Sequence, residues 1–167
     1  MKKFLTATTC LVFLGLFLHG STSVQQMTTG DTRLDSLLGN INEQAKADPK
    51  EFIRLLSQKN NVPEEALQQV KDQFGLSFGD TYMATAFSRI SNQPLDVVAE
   101  AYNRNRGQGW GVMAMNMGIK PGSPAFKALK ANAHSHVDHM KTTAKLKKKQ
   151  QEQEMRKERE RGRKTKD

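Results

Sequence analysis

Cysteine is almost missing from this sequence. The single one is Cys10, so the chain beyond it can form neither an internal disulfide nor a thiolate metal centre. Aromatic residues are sparse at 7%, and the last 27 positions contain none. That argues against sequence-specific nucleic-acid recognition, which needs rings for base stacking. After Leu18 no long apolar run occurs, so the chain past its leader offers no transmembrane segment. Alternating apolar and polar positions are missing as well, which disfavours strands. No serine sits in a G-x-S-x-G elbow and no two carboxylates can be paired as acid and base. The expectation is a protein that is not an enzyme.

What is present begins with a leader. Lys2 and Lys3 precede an apolar region that starts at Phe4 and runs unbroken from Leu11 to Leu18. Small residues follow, and Ser21-x-Ser23 offers a cleavage site with Val24 as the mature start. Residues 1–23 therefore read as a signal peptide of bacterial style, a retained anchor being the alternative. Cys10 precedes the apolar run, where a lipoprotein would need it afterwards. The expected address is exported, periplasmic or secreted.

Charge divides the remainder. Residues 141–167 hold 12 Lys/Arg against 5 Asp/Glu, a net of +7, whereas residues 24–140 hold 12 of each. A flexible leader over 24–30, a helical domain over 31–140 and a basic tail over 141–167 follow from that division. The tail has only Leu146 and Met155 as large apolar residues, so it is expected to be a solvated helix or disordered. Lys147, Lys148 and Lys149 form its basic block. Such a tail suits an anionic envelope polymer or a partner protein.

Helical spacing predicts about six or seven short helices, an all-α bundle. Leu34, Leu37, Leu38 and Ile41 make one stripe, and Asp48-Pro49 opens a helix carrying Phe52, Ile53, Leu55 and Leu56. Pro63-Glu64-Glu65 begins a third helix, closed by Gly75. A fourth is expected over Asp80–Ile90 with Tyr82, Met83, Ala86, Phe87 and Ile90 inward. Pro94 opens a fifth that stops at Gly107, a sixth starts near Gly109 or Trp110, and Ser123-Pro124 caps the seventh.

The stretch Gly107-x-Gly109-Trp110-Gly111-Val112-x-Ala114, followed by Met117-Gly118-Ile119-x-Pro121-Gly122-Ser123-Pro124-x-Phe126, resembles a motif of small, exported, helical bacterial proteins. The likeness spans roughly residues 75–130, and implies export and a helical fold but no activity. Read from the residues alone, Gly107, Gly109, Gly111, Gly118, Pro121 and Gly122 shape turns around Trp110. The alternative is an anion cradle with Arg104, Arg106 and Lys120.

No cofactor is implied, with a metal ion as the one exception. His134, His136, Asp138 and His139 are acceptable ligands for zinc, copper or nickel. On a helix they divide into two half-sites, His134 with Asp138 and His136 with His139. Met113, Met115 and Met117 add soft ligands suited to Cu(I), the bland alternative being core filler.

Overall fold

Aspartate opens the first two helices, as the cap rule requires. The structure, a computed structural model, describes residues 29–164. The signal peptide expected over 1–23 and residues 24–28 of the expected leader lie outside the described residues, as do 165–167. Asp31 Oδ1 accepts the Leu34 N–H at 2.8 Å to start α1 (Thr32–Ala47), and Asp48 Oδ1 accepts that of Glu51 at 3.1 Å to start α2 (Pro49–Asn60). Then come α3 (Glu64–Gln73), α4 (Phe78–Ser91), α5 (Leu95–Arg104), a single 3-10 turn at Arg106–Gln108, α6 (Gly109–Asn116) and α7 (Pro124–Lys164). The described residues form an all-α fold of seven helices with no strand.

The fourth helix starts two residues earlier than expected. Ser77 and Asp80 form a capping box in which each side chain bonds the other's backbone N–H. Ile90, expected inward, is 36% exposed because it lies in the last turn beyond the core. Every residue from Gly79 to Phe87 is buried, so α4 is the axle of the bundle, with α1, α2, α3 and α5 packed round it. A helix enclosed on all sides needs no apolar stripe. The fifth helix ends at Arg104, and the 3-10 turn carries the chain past Gly107.

Helix endings follow one pattern. The N–H of Val62, Leu76, Gln93 and Ile119 each bonds a carbonyl five residues back, closing α2, α3, α4 and α6. Glycine takes the left-handed position in two of these motifs and asparagine (Asn61, Asn92) in the other two. The glycines were legible; the asparagines were not.

The long helix is the spine. It makes its most extensive packing with α1, and a second pair of bonds repeats the first. While Asp31 Oδ1 caps α1, its Oδ2 accepts from Lys130 Nζ at 2.8 Å. While Asp48 Oδ1 caps α2, its Oδ2 accepts from Lys147 Nζ at 2.7 Å. The two bonds span the same sequence separation, 99 residues, so α1 and α7 run parallel and in constant register. Lys147 also reaches Glu51 Oε2 at 3.1 Å. These lysines hold the Asp31 and Asp48 carboxyls below the usual carboxylate range, side-chain hydrogen bonding being the largest cause.

Leu129, Ala133, Val137 and Met140 seat α7 on the body, and no break marks the expected boundary at 140. The helix continues, and all positions from 148 to 163 are exposed. At 1.5 Å per residue, about 25 Å of helix extends past Lys147. No helix of the described residues is long and apolar enough to cross a membrane. If Lys147 is the outer clasp, Lys147→Ala should speed backbone hydrogen exchange at residues 141–147 severalfold. Lys148→Ala should leave those rates unchanged; equal acceleration by both would discard the clasp.

Candidate functional site

Trp110 is the most enclosed large side chain of the glycine-rich motif, which runs from the 3-10 turn through α6 to the start of α7. Its ring is stacked between Tyr102, centroids 3.9 Å apart, and Phe87, 5.3 Å apart, with interplanar angles of 9° and 5°. A buried indole N–H needs an acceptor. Asp80 supplies it: Nε1 donates to Oδ1 at 2.8 Å, while Oδ2 accepts from the Ser77 hydroxyl at 2.7 Å. One carboxylate thus caps α4 and anchors α6. Burial, with the Asp80 charge beside it, pushes the Tyr102 hydroxyl well above the ordinary tyrosine range.

The glycines around Trp110 act through backbone. Gly109 has φ +72° and ψ 172°, a region open essentially to glycine alone. Gly111 faces the segment entering α1: a Cβ there would lie 2.6 Å from the Thr29 carbonyl oxygen. Thr29 itself is buried, and its N–H donates to Asp35 Oδ1 at 2.8 Å. The last two residues of the expected flexible leader are therefore seated on α6. Gly111→Ala should cost about 1–3 kcal/mol, the usual range for forcing atoms into a packed site. Thermal unfolding measures it, and an unchanged midpoint would show that the Thr29 contact is not held. Gly118 follows α6, and Pro121 and Gly122 are exposed in the turn before α7.

The cations nominated beside this turn do not form a cradle. Arg104 bonds Glu100 on its own helix at 2.5 Å. Arg106 lies against the Tyr102 ring and donates to the Phe74 carbonyl at 2.5 Å, capping the C-terminal end of α3. Lys120 is exposed. The cavity next to Tyr102 has about 150 Å³ and is lined by Asn105, Gln108, Met113, Asn116 and Met117, with no acid or histidine among its walls.

The histidines divide. His134 Nε2 and Asp138 Oδ2 pair at 3.3 Å on the exposed face, as helical spacing predicts. His136 is 1% exposed, edge-on to Phe52 at 5.5 Å and tilted against Tyr82 at 5.4 Å. His139, expected to share its face, is exposed. Among the described residues no three His, Cys, Asp or Glu side chains gather as a metal set. Met113 and Met117 lie against the core while Met115 is 58% exposed, so the three thioethers do not converge.

In the tail, Lys147 leaves the expected basic block, since Asp48 and Glu51 occupy it. Lys148 and Lys149 are exposed, as are Arg156, Lys157, Arg159, Arg161 and Arg163. Leu146 and Met155 are nine residues apart and fall on opposite sides of the helix, so no coiled-coil seam exists. What the arm presents is charge: four of the seven exposed cations from Lys148 to Arg163 are arginines. Arginine holds carboxylate and phosphate in a fixed fork.

No protein-family model matches the chain, and neither curated proteins nor solved structures yield a match.

Proposed function

We propose that this protein is an exported, non-catalytic helical module that presents a basic helical arm to an anionic envelope surface. The observation that carries this reading is the geometry of α7. Half of the helix is bound into an electrically neutral body by Lys130 and Lys147, and the other half is solvated and basic. A rigid body would hold the arm's charges at a fixed distance and orientation, which lowers the entropy lost on contact. The N-terminal leader of Lys2, Lys3 and Leu11–Leu18 supports the compartment in which phospholipid headgroups or acidic polysaccharide would be the anions.

Contacts of this kind are sequence-independent and weaken as salt rises. The chain from Val24 should sediment with vesicles containing phosphatidylglycerol, and release should follow ionic strength. Truncation after Lys149, which keeps the Lys147 clasp, should reduce binding at least tenfold at low salt. Equal binding by the whole and truncated chains would remove the arm from the function.

A further inference from the structure

The ends of α2 and α4 meet the first turns of α7 around a small cavity that Trp110 does not line. It has about 70 Å³. By that measure one water needs roughly 10–15 Å³, so about five to seven heavy atoms fit. Tyr82 forms part of the wall together with Ala86, Ala128 and Leu129, and Lys59 and Arg89 stand at the mouth. No carboxylate lines the cavity.

Two features distinguish this place from an ordinary surface hollow. First, Lys59 and Arg89 face the same space, yet no ion pair among the described residues includes either one. Lys59 Nζ has only two long bonds, 3.3 Å each, to the Asn132 carbonyl and the Ser135 hydroxyl. Their position in the last turns of α2 and α4 suits the helix dipoles. Dipoles explain why each is a cation; they do not explain why both border one cavity. Second, Tyr82 as a residue is 3% exposed, while its hydroxyl has no hydrogen-bond partner among the described residues and keeps some access to solvent beside the cavity it lines. A hydroxyl so placed is free to donate to an entering acceptor.

An anion would answer both features at once, taking charge-assisted bonds from Lys59 and Arg89 and a proton-donor bond from Tyr82. The alanine and leucine wall is apolar, which suits a hydrocarbon stub better than a fully hydrated ion. We propose that this pocket binds the carboxylate of a small organic acid carrying a short apolar chain. Low-dielectric walls around the mouth concentrate the field of the two cations on the entering carboxylate. In support, burial and the nearby Arg89 charge lower the Lys59 pKa below its ordinary value, the response of an ammonium with no anion beside it. This site is separate from the basic arm, so either can fail alone.

Butyrate is a suitable probe, titrated into the whole chain from Val24 and followed by amide chemical shifts around Tyr82 and Leu129. Saturable shifts are expected there. Arg89→Gln and Ala128→Leu, both at exposed positions, should each weaken binding at least tenfold, the first by removing charge and the second by filling the mouth. Tyr82→Phe should weaken it about threefold, and Lys148→Gln with Lys149→Gln, on the separate arm, should leave butyrate binding unchanged. The proposal is overturned if the shifts do not saturate, or if Arg89→Gln binds butyrate as the parent does. It is overturned equally if inorganic phosphate binds more tightly than butyrate, since the apolar wall would then have no part in recognition.

Discussion

Trp110→Ala should lower unfolding free energy by about 4 kcal/mol, in the middle of the range for truncating a buried large aromatic. Two losses add. The stack with Tyr102 and Phe87 disappears, and with it the indole's whole apolar burial. Asp80 also loses the donor that ties α4 to α6, although its bonds to Ser77 remain. Trp110→Phe separates the parts. A phenyl ring keeps most of the stack but offers no N–H, so its cost should fall near 2 kcal/mol, close to leaving a buried charged acceptor short of one donor. Chemical denaturation of both variants gives the comparison. Equal losses for Phe and Ala would mean that the hydrogen bond to Asp80, and not the stacking, dominates.

Acid should destabilise the fold in two separable steps, the first belonging to His136. Its ring is enclosed by Phe52 and Tyr82, and its Nε2 has no partner. Burial, with Lys59 and His139 adding repulsion, pushes its pKa down from 6.5 to about 4. The folded state therefore binds fewer protons than the unfolded state between those values. Stability is complete above pH 6.5 and declines as pH falls toward 4, by about 3 kcal/mol for a shift of this size. Asp31, Asp48 and Glu51 have lowered values, so they act at lower pH, where protonation dissolves their bonds to Lys130, Lys147 and Arg54. His136→Leu, close in volume, should abolish the upper step and leave the lower one. If the variant and parent lose stability in parallel between pH 6.5 and 5, His136 is not the sensor.

Much of the architecture was legible because the signals were local. Asp48-Pro49 is a cap followed by a residue with preset φ, and it opens α2 where expected. Gly75 and Gly118 end helices for the reason glycine generally does, and Pro124 starts α7. The capping box at Ser77 is equally local, with Asp80 three residues on, but an aspartate suits the start of a helix as well as its third position, which places the expected start two residues late. The candidate site was less legible. Arg106 and Lys147 are cations in sequence and structural clasps in space, because their partners lie 32 and 99 residues away. The same holds for His136. Two residues from His134, it is turned about 200° round the helix. Which of those faces meets the body depends on how α7 lies against α1 and α2.

Composition and periodicity, acting within a turn or two of chain, determined the helices, their caps and the segregation of positive charge toward the C-terminus. Only the tertiary structure decided which charges are spent and which remain. The parallel register of α1 and α7 consumes Lys130 and Lys147 and leaves Lys148 onward in water. The meeting of α2, α4 and α7 leaves Lys59 and Arg89 without carboxylates. Backbone hydrogen bonding and capping are satisfied by near neighbours, whereas a charge is neutralised by whatever the fold brings within a few ångströms.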